Sequence, residues 1–267
     1  MNAVAMIEQH HPIGTDGFEF VEYTAPPPEG IEQLRQLFTA MGFTETAKHR
    51  SKQVWLFQQN DINFVLNGSP TGHVREFGLK HGPSACAMAF RVKNAAQAAA
   101  YVEAQGATLV GSHANFGELN IPCVEGIGGS LLYLADRYGD KTIYDVDFEY
   151  IEGRTPNDNA VGLQTLDHLT HNVKRGQMDV WSGFYERIAN FREIRYFDIE
   201  GKLTGLLSRA MTAPCGKIRI PINESADDKS QIEEFIREYH GEGIQHIALS
   251  TDDIYATVRK LRANGVD

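Results

Sequence analysis

The sequence predicts an α+β fold: tandem βαβββ modules forming two open β-barrel-like domains, the second of them incomplete. Three observations predict it. A strand-like run over 85–92, a helical stretch over 95–105 and Gly106 recur without gaps as 244–251, 254–264 and Gly265, at a constant offset of 159 residues. Each copy reads as strand, turn, helix and a glycine where a left-handed cap is wanted. A looser pair precedes it: 18–23 with a helix over 31–41 parallels 166–171 with a helix over 178–189. Third, strand hairpins with period-two alternation follow the helices of this earlier pair.

In chain order, residues 1–16 are expected to be a flexible N-terminus without the apolar core of a signal peptide. An N-terminal domain without a metal site follows over 17–150, with two modules. Its first module has a strand over 18–23, a helix over 31–41, and strands over 53–58 and 62–66 joined at Asn60-Asp61, residue types that suit a tight turn. Its second module has a strand over 85–92, a helix over 95–105 and a strand over 130–136. The polar stretch 152–159, with Pro156, Asn157 and Asn159, sits in a linker over 151–162. The C-terminal domain, 163–267, ends within its second module. Its third unit has a strand over 166–173, a helix over 178–189, and strands over 193–198, 203–211 and 217–222 with a turn at Glu200-Gly201. The fourth begins at Gly243 and ends after its helix.

Composition narrows the classes of function. In a chain of 267 residues, 42% hydrophobic and 22% charged residues are those of a globular protein with a substantial core. A net charge of −10 opposes binding driven by phosphate neutralisation, so no nucleic-acid partner is expected. No apolar run is long enough for a membrane span. Cys86, Cys123 and Cys215 are widely spaced with no CxxC pair, and read as reduced thiols of a cytoplasmic protein.

The repeat isolates two histidines. His168 lies on the strand over 166–173 and His246 on the strand over 243–249, and each strand is followed by an amphipathic helix. Phe20 and Ala87 stand at the matching positions of the first half, so the shared scaffold accounts for the strands but not for the imidazoles. Neutral imidazole is the commonest protein ligand for iron, zinc or copper, and two on separate strands can converge on one ion. A facial triad also needs a carboxylate. His171 falls on the opposite strand face from His168 and reads as structural. Alternation over 217–223 puts Ile218, Ile220 and Ile222 on one face and Arg219, Pro221 and Asn223 on the other. Ser208, Asn223, Gln231 and Gln245 are neutral groups suited to hydrogen-bonding a carboxylate or phenol. Gln245 and His246 are adjacent, so both can serve one pocket only if their strand is bulged or just starting there.

The segments 167–173, 208–214, 219–224, 229–232 and 243–248 resemble those of bacterial-type 4-hydroxyphenylpyruvate dioxygenases of the vicinal-oxygen-chelate superfamily. The resemblance runs over essentially the whole chain and is strongest over 163–261. It implies an Fe(II) enzyme converting 4-hydroxyphenylpyruvate and O2 to homogentisate and CO2 in tyrosine catabolism, with 163–267 as the catalytic domain. It further implies His168 and His246 as two iron ligands, and a third, a glutamate, beyond Asp267. Ser208, Asn223, Gln231 and Gln245 would match the substrate-binding polar residues, and Pro221 a pocket wall. Such proteins are homodimers or homotetramers. The rival readings are a hydroxymandelate synthase-like enzyme, and a non-catalytic binding protein or inactive fragment lacking the third ligand.

Overall fold

The structure, a computed structural model, describes residues 11–111, 114–115, 117–200 and 205–267, with the backbone alone over 196–200. Of the expected flexible N-terminus, residues 1–10 lie outside the described residues, as does Gly201 of the expected turn.

The first half holds β1 (Phe18–Thr24), α1 (Glu29–Ala40), β2 (Thr44–His49), β3 (Val54–Gln59), β4 (Ile62–Asn67), α2 (Gly72–His81), β5 (Ser84–Arg91), α3 (Ala95–Ala104), β6 (Leu109–Val110), β7 (Cys123–Glu125), a 3-10 turn (Ile127–Gly129), β8 (Leu131–Ala135), α4 (Tyr144–Asp147) and β9 (Phe148–Tyr150). The second half holds β10 (Leu163–Val173), α5 (Met178–Ala189), β11 (Arg192–Glu200), β12 (Gly205–Thr212), β13 (Arg219–Ser225), α6 (Gln231–Glu238), β14 (Gly243–Thr251) and α7 (Ile254–Ala263). The first nine strands form one sheet, ordered β6-β7-β8-β5-β1-β4-β3-β2-β9, and the other five a second, ordered β11-β12-β13-β10-β14.

The repeat is written into the backbone pairing. In the first sheet Phe20 faces Ala89, Glu22 faces Ala87 and Tyr23 faces Ala85. In the second, His168 faces Ala248, Thr170 faces His246 and His171 faces Ile244. Every one of these pairs is carried onto its counterpart by the same shifts, 148 residues on β1/β10 (168 − 20) and 159 on β5/β14 (246 − 87). Each crossing also takes a bulge at the same step, between Glu22 and Tyr23 and between Thr170 and His171. Helices α2 and α6 begin 159 residues apart as well (231 − 72), an extension of the repeat that sequence periodicity had not exposed. Gly106 and Gly265, with φ of 87° and 83°, end their helices in the left-handed region, as their position after each helix predicts.

One apolar core runs through both halves. It joins Phe38, Phe64, Met88 and Phe90 of the first to Leu169, Tyr185, Phe191 and Ile222 of the second, with Phe90 stacked on Phe191 at 5.8 Å. The start of β10 is fixed by one side chain. Gln59 Oε1 accepts from the amides of Val161, Gly162 and Leu163 at 2.8, 3.2 and 3.2 Å, while the Asn60 amide donates to the Leu163 carbonyl at 2.6 Å. A carbonyl oxygen has only two lone pairs, so three converging amides hold this corner in one geometry.

Candidate metal centre

β10 is an interior strand of the second sheet, between β13 and β14. Its odd positions Leu169, His171 and Val173 are fully buried toward the shared core. On that face His171 Nε2 lies 2.6 Å from the Tyr185 hydroxyl, and desolvation pushes the His171 imidazolium down to about 3, so this histidine is a neutral core residue. The even positions, His168 and Thr170 among them, face the other way. Isoleucines 218, 220 and 222 are each fully buried, leaving Arg219, Pro221 and Asn223 on the face that carries His168.

Strand register assembles that face. Ser208 on β12 is paired with Asn223 on β13, which is paired with Asn172 on β10. Ala210 is paired with Pro221 in the next row. Thr212 is paired with Arg219, and Arg219 with His168, in the row after. Ser208, Pro221, Asn223 and His168 therefore share one surface. Neither Ser208 nor Asn223 has its side chain engaged by another described residue, so both remain available to a ligand.

His246 joins them through a bulge. Thr170 is paired with His246 and the next residue, His171, with Ile244, which leaves Gln245 as the extra residue. That irregularity resolves the conflict posed by adjacent Gln245 and His246: the Gln245 Oε1 reaches His246 Nδ1 at 2.5 Å. Gln245 also borders an apolar cleft of about 340 Å³ between the halves, beside Ile247, Leu249, Phe38 and Tyr239. Gln231 is the first residue of α6, exposed, and makes no hydrogen bond to the histidine pair.

The two imidazoles lie with ring centroids 5.5 Å apart at 75°. His168 is 29% exposed, and its Nδ1 sits 2.7 Å from Asp167 Oδ2; Asp167 Oδ1 in turn accepts from Arg219 Nη1 at 2.8 Å. In both histidines Nδ1 thus faces a side-chain oxygen of the preceding residue, Asp167 or Gln245. An Nδ1–H donated to that oxygen places the lone pair on Nε2, the arrangement that orients metal-ligating histidines. Desolvation and the charge of His168 both lower the His246 pKa, favouring the neutral imidazole that a metal requires. The Thr170 hydroxyl, 2.9 Å from His246 Nε2, donates to the lone pair a metal would take.

The donor set fits a first-row divalent metal as far as it goes. Two imidazoles, each with its Nδ1 facing a side-chain oxygen, could supply two of three facial positions. Among the described residues no cluster of three or more His, Cys, Asp or Glu side chains capable of holding a metal occurs. In the first half the same positions are plugged. Phe20 packs on Tyr133 at 5.6 Å, and Ala87 lies in a cluster with Cys123, Leu131 and Tyr133.

Three residues of the site were not singled out from sequence: Asp167, Thr170 and Asn172. Asn172 is 3% exposed, and its Oδ1 has no hydrogen-bond partner among the described residues. Asp167 could have been found, since it directly precedes His168; Thr170 and Asn172 follow from strand parity once His168 fixes the face.

A repeated open sheet with a histidine pair on two adjacent strands, interior β10 and edge β14, defines a class. Residues 165–267 match the glyoxalase/bleomycin resistance protein/dioxygenase superfamily. Residues 9–149 match the N-terminal domain of hydroxyphenylpyruvate dioxygenase. The chain is 88% identical over 266 residues to 4-hydroxyphenylpyruvate dioxygenase of Pseudomonas aeruginosa, covering 100% of this chain and 74% of that protein. It is 64% identical over 264 residues to the haemolysin VllY of Vibrio vulnificus, covering 98% of this chain and 74% of that protein. A mutant of 4-hydroxymandelate synthase from Streptomyces coelicolor shares the fold with a TM-score of 0.79 at 20% identity, over 95% of this chain and 76% of that one. The chain belongs to the 4-hydroxyphenylpyruvate dioxygenase family.

Among the described residues, no helix is long and apolar enough to cross a membrane.

Proposed function

We infer that the protein is an Fe(II)-dependent dioxygenase that converts 4-hydroxyphenylpyruvate and O2 to homogentisate and CO2 in tyrosine catabolism. Family membership supports the reaction, and one observation carries the site: the histidine pair present only in the second half, with both Nε2 atoms set up as ligands. His168 and His246 would hold the metal. A glutamate beyond Asp267, at the place Tyr133 takes in the first half, would complete the face. Bound there, Fe(II) would supply a Lewis-acidic centre for the 2-oxo acid and the one-electron chemistry O2 requires.

The chain's own residues bind, orient and shield. Asp167, held by Arg219, keeps the His168 ring in one orientation. Gln245 does the same for His246 while offering its amide N–H groups to a substrate. Ser208 and Asn223 present a hydroxyl and an amide at one level, groups able to donate to a carboxylate or accept from a phenol. Pro221 is proposed as an apolar wall between that level and the metal, and Gln231 as a fourth polar contact. A homodimeric or homotetrameric assembly in the cytoplasm is proposed with this reading, on the strength of the family.

The test is product analysis with iron supplied. Homogentisate from 4-hydroxyphenylpyruvate, lost in His168→Ala and His246→Ala, is the expected result. Hydroxymandelate would install the rival enzyme. Iron binding unchanged in both variants would refute the site.

A further inference from the structure

The stretch from Tyr239 to Gly243 joins α6 to β14 and delivers Gln245 and His246 to the site. The first half holds it at two points. His81, the last residue of α2, stacks on the Tyr239 ring with centroids 4.2 Å apart at 26°, and its Nδ1 lies 2.6 Å from the Tyr239 carbonyl oxygen. Gly128, in the 3-10 turn, approaches the Glu242 backbone so closely that an added Cβ would overlap its carbonyl oxygen. The second half holds the same stretch from the other side. The Glu242 carboxylate accepts from the Lys174 amide at 2.9 Å and from the Trp181 indole at 3.1 Å. The Tyr239 ring packs on Gly243 with no room for a side chain.

These contacts bear on the bulge. Ile244 is paired with His171 and His246 with Thr170, so the position of the 242–243 backbone sets where the extra residue falls. A slip of one residue would turn His246 to the opposite face of β14 and separate it from His168. Among the described residues β10 is the one strand paired with β14, so within the second sheet no strand on the outer side opposes that slip.

We propose that the first half, which carries neither histidine, is the positioning platform for His246, with Gly128 and His81 acting through the 239–243 backbone. This rests on reading His168 and His246 as the metal ligands. It assigns the first half a role in metal binding that no residue of its own performs directly.

The experiment compares Gly128→Ala and His81→Ala with Gly129→Ala. Gly129 also has positive φ, 86°, but an added Cβ there meets nothing within 4 Å, so the control carries the backbone strain without the clash. Three readouts are taken: Co(II) affinity with its visible spectrum, amide exchange over 243–249, and the melting temperature. Gly128→Ala and His81→Ala are expected to weaken Co(II) binding about tenfold and to speed exchange over 243–249 more than over β11–β13. Gly129→Ala should stay within about twofold of the parent. His81→Phe, which keeps a ring on Tyr239 without the hydrogen bond, should fall between. Co(II) affinity and local exchange unchanged in both variants would overturn the proposal. So would uniform acceleration of all amides with a lower melting temperature, the mark of a merely structural role. If His246→Ala binds Co(II) as the parent does, the metal reading fails, and local exchange alone then decides the positioning claim.

Discussion

Proton uptake by His171 should set a measurable part of the protein's acid sensitivity. The ring is fully buried, hydrogen-bonded to Tyr185, and pushed by desolvation from an ordinary 6.5 down to about 3. As pH falls through 6.5 the unfolded chain takes up the proton and the native state does not. Stability is therefore full above that value and is lost progressively down to about 3. At 1.36 kcal/mol per unit, the loss from this one group is about 2 kcal/mol at pH 5, with a ceiling of about 4–5 kcal/mol near pH 3. The perturbation is the double variant His171→Leu, Tyr185→Phe, which removes both partners and leaves no orphaned hydroxyl. Urea unfolding at pH 7.5 and pH 5.0 gives the loss for each protein. His49, His81 and His246 are also displaced downward and Glu19 and Glu22 upward, but these are common to both proteins and cancel in the difference. The double variant should lose about 2 kcal/mol less than the parent between the two pH values. Equal losses would refute the reasoning.

Three further outcomes are expected. Thr170→Val removes the hydroxyl that donates to His246 Nε2, so Co(II) affinity measured by calorimetry should rise about fivefold, the worth of one hydrogen bond near 1 kcal/mol. Asp167→Asn weakens the carboxylate's hold on His168 and its pairing with Arg219, and should lower Co(II) affinity about tenfold while leaving the melting temperature near that of the parent. Asp253 caps α7 by accepting from the Ala256 amide at 2.9 Å; Asp253→Ala should cost about 1 kcal/mol in urea unfolding with an unchanged slope.

Much of this architecture was legible because it is written twice. Two copies of a strand, helix and capping glycine at one offset gave the modules. Alternation over 217–223 then placed Pro221 and Asn223 opposite the isoleucines, as the structure has them. The histidine pair stood out for the converse reason, as the part of the second copy that the first lacks. What escaped was either short or long-range. β9 is three residues long and pairs with β2 across about a hundred residues, too little for periodicity to register. α2 buries only Phe77 and Gly78, so no apolar stripe marks it as a helix. Gln231 was named from its residue type, but its distance from the histidine pair depends on how α6 packs, which strand parity does not reach.

The first-half counterpart of the proposed site is filled with apolar and aromatic side chains. Phe20, Ala87, Ala89 and Tyr133 fill in one sheet what His168 and His246 leave half open in the other. The two strand pairs share a register, so the two packings occupy equivalent places within a single molecule. The second sheet, less filled at this place, should be the first to open under stress, and an ion bound at the proposed site would then act as its missing core.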